Sequence, residues 1–163
     1  MKRFFDVRRI ACPILAIGVG LGLASAVQAQ TVPHKEKASG TIDVSELISP
    51  TVAAQAGSGT GTATHMGRYS QAFHHKVDLL TGAIFDGEFT SVAADGSTTS
   101  GIYSGSFTIN GDGTVSYHVT AIWLGGTGRL EGVTGIAEVV AEASGVTPGS
   151  TFKYVDEGVW YLP

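Results

Sequence analysis

The feature that most limits the folds open to this chain is a glycine-rich segment, residues 125–135 (GGTGRLEGVTG), with five glycines in eleven positions. Apolar and polar residues alternate on both sides of it, a pattern typical of β-strands. Glycine is used where a backbone needs a positive φ angle or the close approach of another strand. The segment therefore predicts a corner in a closed β-sheet, formed by a bulge or a tight bend.

The first 29 residues have the three regions of a secretory signal peptide. A basic start and an apolar run over residues 14–23 precede small residues that predict cleavage after Ala29. The apolar run is shorter than the roughly 20 residues of a membrane-spanning helix, which favours cleavage over a retained anchor. We therefore expect a secreted or periplasmic protein that has no stable membrane span once the signal is removed.

Removal of residues 1–29 changes the charge of the chain and its redox chemistry. The only cysteine, Cys12, lies there, with four of the ten basic and one of the fourteen acidic residues. Residues 30–163 keep six basic against thirteen acidic side chains, a net charge of −7 with neutral histidines. Binding of nucleic acid needs a basic surface, so nucleic acid is not an expected partner. The remaining 134 residues suit a single domain.

From residue 40 onward, period-two alternation and turn residues dominate the sequence. Residues 30–39 are polar, and we expect them to form a flexible N-terminal arm before a barrel domain over residues 40–163. The predicted strands cover residues 41–48, 59–69, 71–78, 83–94, 99–109, 115–123, 137–143 and 152–162. Sequences typical of turns separate them at three places, Asp95-Gly96, residues 110–113 and Pro148-Gly149.

Seven or eight strands at hairpin spacing, each with one apolar face, predict an all-β fold. Both an antiparallel sandwich and an antiparallel barrel agree with this pattern. Closure into a barrel removes exposed strand edges, which protects a disulfide-free β protein from edge-to-edge aggregation. We favour the barrel on that ground.

Two segments carry a resemblance to a known family, residues 59–69 (GTGTATHMGRY) and the glycine-rich residues 125–135. Together they resemble secreted bacterial proteins with an allene oxide cyclase-like barrel, a superfamily that also holds plant allene oxide cyclases and dirigent proteins. The resemblance covers about residues 57–162. It implies an eight-stranded antiparallel β-barrel with a central cavity, and self-association into a homo-oligomer, since plant members are often trimers.

The resemblance also implies a manner of action. Allene oxide cyclase guides ring closure of an unsaturated epoxy fatty acid mainly by confinement in an apolar lumen, helped by a carboxylate and an ordered water. No motif places the active-site residues of the cyclase on this sequence, so none is carried over.

Three residues are candidates for catalysis: His65, Tyr103 and Tyr117. His65 shares strand parity with small residues such as Ala63, so we expect space beside its imidazole and a role as acid or base in the lumen. The alternative is a histidine bound to a backbone carbonyl at a strand end. The tyrosines lie on apolar faces, where each either orients a ligand oxygen or buries its ring in the core.

Aromatic residues on the apolar faces are the candidate ligand-binding residues. The sequence leaves open whether they fill the interior or leave a pocket in it. They are Phe85, Phe89, Phe107, Trp123, Phe152, Tyr154 and Trp160.

Metals and cofactors are not expected. No histidines have the spacing of a zinc site, and the adjacent His74 and His75 face opposite sides of a strand. His34 falls in the expected arm. Four further carboxylates lie opposite the apolar faces of their strands and predict a solvated outer surface; they are Asp86, Glu88, Glu138 and Glu142.

Taken together, these patterns predict an exported small barrel that binds a hydrophobic or aromatic small molecule in its lumen. The activity that fits such a lumen is a cyclase or isomerase reaction driven by confinement. The alternative is a structural or interaction protein with a filled barrel. A hydrolase is disfavoured because no nucleophile motif is present.

Overall fold

The computed structural model describes residues 30–163, and the signal peptide expected over residues 1–29 lies outside them. The chain forms a closed antiparallel barrel in which each strand pairs with its neighbours in sequence and the last pairs with the first. The all-β, eight-stranded antiparallel barrel is therefore confirmed. Among the described residues, no helix is long and apolar enough to cross a membrane. The strands are β1 (Gln30–Leu47), β2 (Val52–Ala63), β3 (Gly67–Asp78), β4 (Ala83–Ala93), β5 (Thr98–Ile109), β6 (Val115–Gly126), β7 (Thr134–Ala143) and β8 (Thr151–Leu162).

Alternation of side chains sorts each strand into an inner and an outer face. On β6, Val115, Tyr117 and Trp123 are buried, whereas His118 and Leu124, of the opposite parity, are exposed. Because the sheet closes on itself, the inner faces of all eight strands meet in one water-poor interior. The lumen is therefore built from every second residue of each strand.

The prediction of a flexible arm over residues 30–39 is wrong. Residues 30–39 form the first part of β1 and pair with β8 from Gln30–Leu162 to Ser39–Lys153, and this pairing closes the barrel. His34 and Glu36 of this segment are buried. Strands are predicted from the alternation of apolar and polar residues. In this segment the inward positions also carry polar side chains, so that alternation is missing and the sequence does not predict a strand.

A second difference concerns residues 59–69, which the sequence predicts as one strand. The structure divides them at a turn over residues 64–66 between β2 and β3. His65 lies in this turn with φ 64°, a left-handed conformation that few side chains adopt. Gly67 follows it with φ 73°.

The glycine-rich corner is a tight bend, as predicted. β6 ends at Gly126, and a single 3₁₀ turn over Gly128–Leu130 leads toward β7. Gly128 has φ 63°, a value that glycine adopts without strain. Arg129 pairs with Asp95 at 2.5 Å and donates to the backbone carbonyls of His65 and Met66. The corner is thus fastened to two neighbouring turns at what we call the corner end of the barrel.

Two apolar clusters close the interior. The first lies at the corner end and includes Met66, Leu130 and Trp160. The second lies at the opposite end and includes Val77, Ile84 and Phe107. The candidate site lies between them.

Candidate functional site

A cavity of about 110 Å³ lies in the lumen between the two apolar clusters. One part of its wall is aromatic and aliphatic, and includes Phe73, Phe89 and Trp123. The other part carries polar groups from five strands: Glu36, Gln71, His75, Tyr103, Tyr117, Tyr154 and Asp156. A pocket that is mostly apolar with a few convergent polar groups is typical of small-molecule sites.

The structure brings most of the candidate residues to this cavity. Among the two candidate catalytic tyrosines and the seven candidate ligand-binding residues, those that line it are Tyr103, Tyr117, Phe89, Trp123, Phe152 and Tyr154. Phe107 is buried in the cluster at the opposite end. Trp160 is fully buried at the corner end, where it stacks on His34 with ring centroids 4.2 Å apart. Both therefore fill the ends of the barrel rather than line its cavity.

Two predicted site residues, His65 and Phe85, lie outside the cavity lining, so both predictions are wrong. His65 is exposed in the β2–β3 turn, because the strand that the sequence extended through it ends at Ala63. Phe85 is half-buried and outside the cavity lining. The register of β4 shifts between Ile84 and Gly87, so Phe85 does not share the inward parity of Phe89.

A chain of hydrogen bonds runs along one side of the cavity. Gln55 donates to the backbone carbonyl of Val146 at 3.1 Å, which orients its amide so that Oε1 accepts from His75 Nε2 at 3.0 Å. His75 Nδ1 is then the acceptor for the Tyr103 hydroxyl at 2.6 Å. We call Gln55, His75 and Tyr103 the neutral chain.

The protonation states of the neutral chain follow from its burial. Loss of solvent, together with the neighbouring His74, lowers the pKa of His75 to about 4. Burial also raises the pKa of Tyr103 above its usual value. At neutral pH both groups are therefore uncharged. The Tyr103 hydroxyl donates its hydrogen bond to His75, so the lone pairs of the Tyr103 oxygen can accept a hydrogen bond from a ligand.

A second polar group lies where β1 meets β8. Glu36 Oε1 accepts hydrogen bonds from the hydroxyls of Tyr69 and Tyr154, which are themselves 2.9 Å apart. Burial first, and then the Glu36 charge, raise the pKa of both tyrosines, so each keeps the proton that it donates. The arrangement fixes one oxygen of Glu36 and leaves Oε2 facing His34, whose Nε2 lies 3.3 Å away.

Asp156 completes this group. It is the register partner of Glu36 on β8, and its Oδ1 lies 3.5 Å from His34 Nε2. Loss of solvent, and then the charge of Glu36, raise the pKa of Asp156 to about 8. We call His34, Glu36 and Asp156 the acidic cluster.

Tyr117 differs from the other lumen tyrosines. Burial alone raises its pKa to about 12, without a contribution from a hydrogen bond or a neighbouring charge. Its hydroxyl therefore keeps its proton at neutral pH and is available to donate to a molecule in the cavity.

Sequence reasoning missed the acidic cluster and, in the neutral chain, Gln55 and His75 as functional residues. A signal was present for Asp156, which has the same parity as Phe152, Tyr154 and Trp160 on β8. His34 and Glu36 likewise alternate with exposed residues after the buried Val32. The polar character of these positions outweighed their parity.

The predicted solvated outer surface is confirmed for its four carboxylates, all of which are exposed. Three of them lie close to basic partners, in the pairs Lys76–Asp86, His74–Glu88 and Lys153–Glu142. Exposed pairs of this kind contribute little to stability. The chemistry of the barrel is therefore concentrated in its lumen.

Comparison with known proteins adds no relative: no protein-family model matches the chain, and neither does any curated protein or solved structure.

Proposed function

We propose that this chain is an exported, allene oxide cyclase-like barrel whose lumen binds a small, uncharged and largely apolar molecule. The observation that carries the proposal is the cavity, in which aromatic side chains face hydroxyl groups fixed in their neutral forms. The resemblance of residues 59–69 and 125–135 supports the barrel subtype. The basic and apolar pattern of residues 1–29 supports export to the periplasm or the exterior.

Cavity volume sets the size of the ligand. An apolar cavity of about 150 Å³ binds benzene, whereas drug-sized ligands occupy roughly 300–1,000 Å³. The cavity of about 110 Å³ is smaller than that benzene-binding cavity, so it suits a molecule no larger than one small ring. A long-chain fatty acid exceeds this volume, so the ligand differs in size from the substrate of the plant cyclases.

Polar groups in the wall set the charge of the ligand. Tyr117 offers a hydroxyl donor and Tyr103 offers an acceptor, both on the cavity. The charge of the buried Glu36 carboxylate disfavours a negatively charged guest in the same space. A neutral ring with one oxygen, such as a phenol, satisfies these conditions.

The catalytic part of the proposal is cyclisation or isomerisation by confinement. A rigid barrel holds a flexible substrate in one conformation and removes the entropy cost of reaching it. Tyr117 keeps its proton because burial raises its pKa to about 12, so its hydroxyl is placed to donate a hydrogen bond to that substrate.

Binding of phenol tests the proposal directly. We expect saturable binding of phenol and weaker binding of benzene to the tag-free protein by calorimetry or ligand-observed NMR. Ala141→Leu adds volume inside the cavity and should abolish binding, whereas Val140→Leu, at the neighbouring exposed position on β7, should leave it unchanged. Equal binding by both variants, or no saturable binding to the parent protein, contradicts the proposal.

A filled structural barrel is the second candidate. The small cavity volume favours it, because the aromatic residues already occupy most of the lumen. In that case phenol does not bind to the parent protein, and Ala141→Leu raises the melting temperature by filling a void. Phenol binding to the parent protein therefore separates the two functions.

Self-association is a separate part of the proposal. Ile102, Ile122 and Ile136 are 43%, 39% and 44% exposed and lie side by side, in register, across β5, β6 and β7. An apolar row on the outer face supports contact with a second copy of the chain. Light scattering should give a mass above that of one chain, and Ile122→Glu should lower it to the monomer value. A monomeric parent protein contradicts self-association.

A further inference from the structure

The acidic cluster has the geometry of a metal site. His34 and Glu36 lie two residues apart on β1 and point inward, and Asp156 faces them from the paired position on β8. The three side chains are buried, with exposures of 1%, 6% and 3%. One ligand atom from each residue lies within 4.8 Å of the other two. A strand pair therefore presents one nitrogen and two carboxylate oxygens to a common point.

Unpartnered polar atoms show that the cluster is incomplete as a protein-only network. Among residues 30–163, Asp156 Oδ1 and His34 Nδ1 are buried with no hydrogen-bond partner. Oδ1 faces His34 Nε2 at 3.5 Å without forming a hydrogen bond to it. Leaving a buried polar atom unpaired costs about 1–3 kcal/mol. A cation between the three residues would satisfy Oδ1 and balance the carboxylate charge.

No protein cation performs this task within the described part of the chain, since the only ion pairs of Glu36 and Asp156 are those with His34. All lysine and arginine ion pairs found there lie on the outer surface. Buried carboxylates without a basic partner are typical of sites that bind metal ions.

Distances within the cluster indicate which ion fits. Zinc bonds of about 2.0–2.1 Å in a tetrahedron place neighbouring ligand atoms about 3.3 Å apart. The two distances from His34 Nε2, 3.3 Å to Glu36 Oε2 and 3.5 Å to Asp156 Oδ1, are close to this value. Calcium and magnesium prefer six or more oxygen ligands, and an imidazole favours zinc over both.

We propose that His34 Nε2, Glu36 Oε2 and Asp156 Oδ1 bind a zinc ion whose fourth position faces the lumen. Glu36 and Asp156 both line the cavity, so that position is open to water or to a polar group of a lumen ligand. The tyrosine pair on Glu36 Oε1 holds the carboxylate in place, as outer partners do at zinc sites. Stacking on Trp160 and an edge contact with Trp123 fix the His34 ring.

The site does not depend on the proposed ligand. Zinc binding is measured without phenol, and phenol binding is measured after removal of metal. Failure of one proposal is therefore distinguishable from failure of the other.

Metal analysis of the tag-free protein tests the site. After removal of bound metal with a chelator and dialysis, we expect one zinc ion per chain on titration against a chromophoric chelator. Co²⁺ should give the intense visible absorption of a tetrahedral site. His34→Gln and Asp156→Asn should each weaken zinc binding by more than about tenfold. His74→Gln, which removes an exposed histidine on the outer face of β3, should leave zinc binding unchanged.

A second measurement covers variants that fail to fold. Glu36→Gln retains the size of the side chain and one oxygen that can accept from Tyr69 and Tyr154. Circular dichroism reports whether each variant keeps its strands. For the parent protein, zinc should raise the melting temperature, because it binds only the folded chain. A parent protein that takes up less than one zinc ion per chain, or folded variants that bind zinc as tightly as the parent, would overturn the site. The carboxyl pair would then be held by a shared proton instead.

Discussion

Two polar groups share one lumen and are built in opposite ways. The neutral chain joins β2, β3 and β5 through His75, whose two ring nitrogens both have partners. The acidic cluster joins β1 and β8 and leaves Asp156 Oδ1 and His34 Nδ1 unpaired among the described residues. All of these side chains are buried except Tyr103, which is half-buried, so access to water does not account for the unpaired atoms of the acidic cluster.

The comparison separates a structural group from a functional one. A satisfied buried network rigidifies the fold around it and needs nothing more. A buried group with unpaired atoms and two carboxylates lowers stability unless a proton, an ion or a ligand completes it. In this barrel the neutral chain holds the cavity wall in place, and the acidic cluster is the part that requires a partner.

The largest effect expected from this comparison is a dependence of stability on pH that arises at Asp156. Its pKa is about 8 in the folded chain and near 4 when unfolded, so the folded state holds the extra proton between these values. Stability of chelator-treated protein should therefore fall as pH rises from 4 toward 8. The groups that face it are Glu36 and His34 from β1 and Glu157 on its own strand.

Urea unfolding at pH 6.5 and at pH 8 checks this dependence. The parent protein should lose stability over that interval, and Asp156→Asn should lose much less because its amide does not titrate. An equal loss in both proteins would show that another group is responsible.

His75 should give a smaller effect of opposite sign. Its pKa is lowered to about 4 in the folded chain, so below pH 6.5 the unfolded state binds the extra proton. The stability contributed by neutral His75 is present above pH 6.5 and is lost as pH falls toward 4, by at most about 3 kcal/mol. The ionisable groups beside His75 are His74, next to it on β3, and Tyr103, which contacts the ring.

The difference in unfolding free energy between parent and variant isolates the His75 contribution. We expect it to shrink between pH 6.5 and pH 4.5 for His75→Gln. His74→Gln, at the exposed neighbouring position, should show almost no change. A constant difference for His75→Gln would mean that the buried imidazole is not kept neutral by the fold.

The same comparison explains what the sequence could predict. Strand parity predicts that Phe89, Tyr117 and Trp123 point into the lumen, and the structure confirms it. Parity gives the wrong position for His65 and Phe85, because a turn and a register shift that have no strong local signal interrupt the alternation. Local sequence does not reveal His34 and Glu36 as lumen residues, because pairing with β8, more than a hundred residues away, makes their segment a strand.

The smallest expected effects on stability distinguish Tyr103 from Tyr117, for which the sequence predicts the same role. Tyr103→Phe removes the donor to His75 Nδ1 and should cost about 1–3 kcal/mol of stability, because a buried acceptor loses its partner. Tyr117→Phe removes a hydroxyl whose pKa shift shows no hydrogen-bond contribution, so its unfolding free energy should barely change.

Tyr117→Phe should weaken ligand binding although it barely changes stability. Loss of one hydrogen bond of about 0.5–1.5 kcal/mol weakens phenol binding roughly two- to tenfold in Tyr117→Phe, and benzene binding should not change. Paired urea unfolding and calorimetry on the two variants check both quantities. If Tyr117→Phe lowers stability as much as Tyr103→Phe does, the Tyr117 hydroxyl belongs to the packing of the barrel and is not reserved for a guest.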